Sequence, residues 1–205
     1  MNNSVSLLDI YNVLTEYHHR RNKIYANLCN HLAEKLDYKT ILVKSFNLER
    51  QELVLYVKKH EDIGNYDNWQ ELVFKKQGEH YIYYLKASNT VTNNVLKNSF
   101  ILDYFFTHLM SLKEYFLLNN YSLYDTKSLY YISLNSDEIK IKSGNQKMKK
   151  IPISHCHSDA FDNAYLSDIY VDMTNLPLWL QSECELIRQP KPLRLAKRLL
   201  NSLSN

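Results

Sequence analysis

The chain has 205 residues, 45% of them hydrophobic and 23% charged, with a formal net charge of +3. That composition supports a real core and excludes wholesale disorder, but a charge this mild does not by itself name a polyanion partner. Its three glycines, Gly64, Gly78 and Gly144, stand far apart, which argues against the glycine-built phosphate loops, dinucleotide turns and nucleophile elbows of many enzymes.

Ser4 or Ser6 stands before a run with apolar residues at Leu7, Tyr11, Leu14, Tyr25, Leu28 and Leu32, so the spacing predicts one long helix over 4–36. The pattern lapses at His18 and Arg21, which makes YHHRRNK either a break or an exposed turn. From residue 40 the period shortens. ILVKSF and ELVLYVKK read as strands joined at NLERQ, and ELVFKK and EHYIYYLK as a second pair around Gln77-Gly78. Together they predict an antiparallel meander, with EDIGNYDNW as a polar loop between the pairs.

Residues 91–119 return to helical spacing at Val95, Leu102, Phe106, Leu109, Leu112 and Phe116. Leu96, Phe100, Ile101, Phe105 and Met110 add apolar residues on other sides, the signature of a buried central helix. YSLYDTKSLYYISL follows, and then DEIKIKSGNQKMKKIPIS predicts a hairpin turning at Ser143-Gly144-Asn145. Residues 155–175 carry Asp, Asn and His without a clear period. After Pro177, LWLQSECELI reads as a short helix, and a Gln-Pro-Lys-Pro joint leads into a basic amphipathic helix, LRLAKRLLNSLS. The expected architecture is α+β: an antiparallel sheet of about 4–6 strands, a long N-terminal helix, a buried central helix and a C-terminal amphipathic basic helix. A single domain is expected over 1–187, with a Pro-linked basic tail over 188–205.

The three cysteines, Cys29, Cys156 and Cys184, form no CxxC pair and read as reduced thiols, the habit of a cytoplasmic protein. The N-terminus lacks a basic n-region and a long apolar run, and no stretch approaches the ~18 consecutive apolar residues of a membrane span. The chain is therefore expected to have no transmembrane segment and to reside in the cytoplasm.

The sharpest chemical motif is Ser154-His155-Cys156-His157-Ser158-Asp159. On an extended segment His155, His157 and Asp159 point to one side, where they can share a divalent metal. The segment resembles the HxHxD portion of metallo-β-lactamase-type hydrolases, which implies a metal-dependent hydrolase or nuclease. It departs from that pattern at Ala160, where the family carries its next histidine, and no histidine follows His157. His157-Ser158-Asp159 also matches the HxD of non-haem iron oxygenases, without the downstream histidine they need. The competing reading is a polar surface loop. Asp159, Asp162, Asp168 and Asp172 lack the spacing of a calcium loop. Asp137-Glu138-Ile139-Lys140 contains the ExK of PD-(D/E)xK nucleases, with Asp125 as the candidate upstream acid, but three such letters arise easily in a Lys- and Glu-rich chain and the favoured reading is a plain surface strand.

Basic residues are more widely distributed. Lys140, Lys142, Lys147, Lys149 and Lys150 crowd the 138–152 hairpin. Arg194, Lys197 and Arg198 line the tail, whose leucines form an apolar stripe opposite, and His18 to Lys23 make a third cluster. Seventeen tyrosines, against seven phenylalanines and two tryptophans, put polar-tipped rings near these clusters. Lysines that hold phosphates and rings that stack bases are the ingredients of a nucleic-acid surface. Their alternative is a set of solvated faces. The composition thus points to a non-catalytic accessory or regulatory binding protein that contacts nucleic acid, a protein partner or a second copy, with no resident cofactor. Two alternatives stand beside it: a metal-dependent hydrolase on His155, His157 and Asp159, and a protein–protein assembly component or inhibitor.

Overall fold

The computed structural model describes residues 3–60, 68–86, 94–97, 99–118, 121–125, 130–154 and 160–189, together with 193, 195–198 and 200. The fold is α+β, with a long N-terminal helix and antiparallel sheets of two, four and five strands. The chain forms two compact units, one from residues 1–19 and 114–205 and the other from residues 20–113.

Helix α1 runs from Leu7 to Leu36. Ser6 caps it, its Oγ accepting from the Asp9 N–H at 3.1 Å, which settles which serine opens the helix. YHHRRNK is helical throughout, and the boundary between the units falls within it, after His19. Asp37 ends the helix in the left-handed region, at φ 55°, a conformation Asp tolerates better than most residues.

In the first unit, β1 (Ser4–Ser6) pairs antiparallel with β11 (Tyr170–Asp172). The four-stranded sheet contains β7 (Tyr121–Asp125), β8 (Tyr130–Leu134), β9 (Glu138–Ser143) and β10 (Lys149–Pro152), in the order β10-β9-β8-β7. Its inner face follows from alternation: Ile132 and Leu134 on β8, Ile139 and Ile141 on β9, and Ile151 on β10 are all buried. They join one core with Leu7, Ile10 and Leu14 of α1, Leu166 of α4 (Ala160–Ser167), and Leu180 and Cys184 of α5 (Leu178–Ile187). Tyr115 of the short helix α3 (Lys113–Phe116) is fully buried in this core and donates its hydroxyl to the Ser136 carbonyl.

In the second unit, β2 (Thr40–Asn47), β3 (Glu52–Lys58), β4 (Gln70–Gln77), β5 (His80–Leu85) and β6 (Asn94–Leu96) form an antiparallel meander. Gly78, at φ 57°, makes the tight β4–β5 turn that a β-branched residue could not. Helix α2 (Phe100–Met110) buries Leu102, Phe105, Phe106 and Leu109. Phe106 stacks on Tyr81 of β5, and Phe105 meets Tyr25 of α1 and Phe46 of β2.

Three sequence expectations are refined. The helix expected over 91–119 begins at Phe100, because Asn94–Leu96 extends the sheet as β6. Its burial is confined to one face, since Phe100 and Met110 are exposed. Residues 155–175, which lack a clear period, include α4 and β11.

Candidate functional site

The β9–β10 hairpin turns at Gly144, whose φ of 49° supplies the left-handed residue, and the turn closes through the Gln146 N–H to the Ser143 carbonyl at 2.9 Å. Alternation that sends Ile139, Ile141 and Ile151 inward sends Lys140, Lys142 and Lys150 outward. Register then sets the neighbours. Lys150 faces Lys140 across the hairpin, Lys140 faces Ser133 of β8, and Lys142 faces Tyr131 of β8. Lys147 lies exposed in the turn region.

The hairpin lysines divide by partner. Lys149 shares the inward parity of Ile151, and its ammonium reaches α4, lying 2.7 Å from Asp162 and 4.2 Å from the centre of the Tyr165 ring. It fastens an edge strand to a helix. Lys140 sits 2.8 Å from Glu138, and its hydrogen bond holds the Glu138 carboxyl below the usual glutamate range. Among the described residues, no carboxylate comes within ion-pair distance of Lys142, Lys147 or Lys150.

Tyr131 completes this face. It is 39% exposed, and its hydroxyl shares a 2.7 Å hydrogen bond with Ser122 Oγ. Sequence reasoning named the lysines but missed this ring. The signal was present in YYISL, where inward Ile132 and Leu134 leave Tyr131 and Ser133 facing out.

The tail lysine and arginines divide as well. Arg198 donates to Glu16 of α1 and Glu183 of α5, at 3.0 Å and 3.2 Å from Nη2. The hydrogen bond to Glu16 raises its pKa further, against the desolvation that lowers it. Arg198 therefore ties the tail to the first unit. Lys197 is exposed, as are Leu193, Leu195 and Leu200 at 57%, 60% and 63%. Arg194 lies outside the described residues.

His155, His157 and Asp159 also lie outside the described residues. Among those described, no group of three His, Cys, Asp or Glu side chains could hold a metal ion. Burial pushes the Cys29 thiol up to about 11 and the Cys184 thiol up to about 12. Both stay protonated near neutrality and are poor nucleophiles. Among the described residues no helix is long and apolar enough to cross a membrane.

No protein-family model matches the chain, and neither a curated protein nor a solved structure matches it. The reading of function therefore rests on the chemistry of these surfaces.

Proposed function

We propose that this chain is a non-catalytic accessory or regulatory binding protein that contacts nucleic acid through the outward face of its four-stranded sheet. The observation that carries the reading is the company of Lys142, Lys147 and Lys150: three ammoniums on one hairpin with no carboxylate at ion-pair distance among the described residues, one of them directly across from an exposed tyrosine. Lysines held this way can displace condensed counterions from a phosphate backbone, which supplies affinity without sequence readout. Lys140 adds to the track while shared with Glu138, and Lys149 serves the fold. In the tail, exposed Lys197 is a further candidate phosphate contact, as Arg194 is from the sequence alone, whereas Arg198 is held by Glu16 and Glu183. The exposed tail leucines suit a protein partner or a second copy, as an accessory role requires. The free thiols of Cys29 and Cys184 suit a cytoplasmic setting.

A salt titration tests the reading. Fluorescence anisotropy on labelled DNA and RNA oligonucleotides of about 20 nucleotides, longer than a typical sheet-face site, reports affinity at each salt concentration. The expected result is binding that weakens with salt, with a log–log slope of about −2 or steeper for three or more phosphate contacts. Absence of binding to every oligonucleotide at low salt removes the nucleic-acid reading.

A further inference from the structure

The outward face of the four-stranded sheet is not uniform, and its asymmetry specifies what kind of strand it fits. Ser122 pairs with Ser133 in the β7–β8 register, and Tyr131 pairs with Tyr124, so Ser122 is the diagonal neighbour of Tyr131. Diagonal Cα atoms stand about 7–8 Å apart, within reach of an aromatic side chain that leans across the sheet. A tyrosine standing perpendicular to the sheet, the ordinary strand orientation, would carry its hydroxyl away from that serine. The 2.7 Å bond between Tyr131 and Ser122 therefore lays the ring toward β7, while the residue stays 39% exposed.

On the other side of β8 the chemistry changes. Lys142 stands directly across from Tyr131 on β9, and Lys140 and Lys150 pair between β9 and β10. Successive outward positions on one strand lie about 6.5 Å apart, so Lys140 and Lys142 form a short basic track along β9. The face thus sets one aromatic ring, Tyr131, over β7–β8 and a basic half over β9–β10. The two are separated by one to two strand spacings, about 5–10 Å. A nucleotide has the same layout, a flat base at one end and a phosphate at the other.

Resting on the nucleic-acid reading above, we infer that this face binds unpaired polynucleotide strands, with a base stacked on Tyr131 and the adjoining phosphates on Lys142 and Lys150. The argument against a duplex is chemical. Bases in a duplex already stack on their neighbours and offer only their edges in the grooves, so a sheet-bound ring gains nothing from them. An unpaired base has a free face. The hydroxyl of Tyr131 is already engaged by Ser122, which leaves the ring as what the residue offers, and the fixed ring loses little freedom on binding. The stack is tolerant of base identity, because every base has a π-face. Glu138 lies beside Lys140, and its carboxyl is also lowered by the charge of Lys150, so the track is most open to an anionic strand at its Lys142 end.

Binding of single-stranded dT and rU oligonucleotides of about 20 nucleotides is compared with a duplex of equal length, inorganic polyphosphate and phosphatidylserine-containing vesicles. Both single strands bind at least about 10-fold tighter than the duplex, and polyphosphate competes poorly because it has no bases. The ratio between dT and rU tells a DNA strand from an RNA strand. Tyr131→Ala weakens single-strand binding by roughly 5- to 100-fold with the salt slope unchanged, and Tyr131→Phe stays close to wild type. Lys142→Ala lowers the slope by about 0.7. A 2-aminopurine placed in the strand reports stacking in the unaltered protein and loses its fluorescence change in Tyr131→Leu, a variant that keeps the side chain large and apolar. Duplex binding equal to single-strand binding, with Tyr131 replaceable at no loss, overturns the inference and leaves the nucleic-acid reading standing. Vesicle or polyphosphate binding that equals single-strand binding also overturns it. Failure of every nucleic acid to bind removes both.

Discussion

The four-stranded sheet of the first unit and the five-stranded sheet of the second both turn lysines outward, but they treat the charges differently. On the five-stranded sheet Lys44 and Lys86 share Glu71, with Lys86 at 2.9 Å, and Lys75 lies 3.5 Å from Glu52. Hydrogen bonds from Lys44 and then Lys86 hold the Glu71 carboxyl below the usual glutamate range. Lys44 also lies 4.8 Å from the centre of the Tyr56 ring. It occupies the register irregularity between Val43 and Ser45, where a bulge re-aims a side chain. On the four-stranded sheet the outward face carries Lys140, Lys142 and Lys150 against Glu138 alone among the described carboxylates at ion-pair distance. Lysine number is comparable; the interleaving of carboxylates is not. Surface ion pairs of this kind add little stability, but they remove ammoniums from the supply that a polyanion can use.

The strongest way to break that comparison is to neutralise the open lysines together. Lys142→Gln, Lys147→Gln and Lys150→Gln in one chain are expected to flatten the salt slope for single strands by about 2, which is roughly 100-fold in affinity at 0.1 M relative to 1 M salt. The corresponding change of Lys44, Lys75 and Lys86 is expected to alter affinity by less than a few-fold. Equal losses from the two triple variants would show that pairing with carboxylates does not decide which lysines are available.

Much of this arrangement was legible in residue order. The hairpin at Ser143-Gly144-Asn145, the strands from Thr40 to Leu85 and helix α5 all follow from local period and turn chemistry, which a chain writes within a few residues. The outward parity of Lys140, Lys142 and Tyr131 was equally available from the buried isoleucines between and beside them. What was not legible is partnership across sequence. Lys149 and Asp162 are on different elements, and Arg198 finds Glu16 from the far end of the chain. Parity with Ile151 marks Lys149 as inward, but nothing local names Asp162 as its partner or separates Arg198 from Lys197. The three-residue strands β1 and β6 also escaped, since three residues are too few to display a period and their neighbours read as helix. The His155–Asp159 motif, the most conspicuous in the sequence, lies outside the described residues and carries none of the site described above.

A milder change sharpens the comparison from the other side. Glu71→Gln removes the carboxylate that Lys44 and Lys86 share, so it turns two silenced lysines of the five-stranded sheet into open ones. If carboxylate interleaving is what separates the two sheets, the variant steepens the salt slope by up to about 1.4, a gain of roughly 25-fold at 0.1 M relative to 1 M salt. The measurement is the same anisotropy titration, with a thermal melt to show that the fold persists. An unchanged slope would mean that this face stays closed to a strand even when its lysines are released, and charge pairing would no longer explain the difference.

The smallest expected effect concerns a lysine of the second unit used for structure. Lys76 on β4 lies 2.7 Å from Asp103 on α2, and Asp103 also accepts from Ser99 Oγ at 2.8 Å and from the Tyr81 hydroxyl at 3.3 Å. Desolvation pushes the Asp103 carboxyl up, but the hydrogen bonds from Lys76 and Ser99 together outweigh it, so its pKa falls below the ordinary aspartate value of 3.8. A depressed carboxylate binds its proton more weakly folded than unfolded. Its contribution is therefore fully present above 3.8 and is lost as the pH drops through the lower folded value. The carboxylate is 43% exposed, so solvent screens the pair and the effect is modest. Wild type is expected to melt above Asp103→Asn at pH 7, with the gap closing as the pH falls below 3.8. A gap that stays constant to pH 2 would mean that Asp103 holds β4 to α2 through hydrogen bonds alone, and that the charge of Lys76 contributes nothing its Glu52- and Glu71-paired neighbours lack.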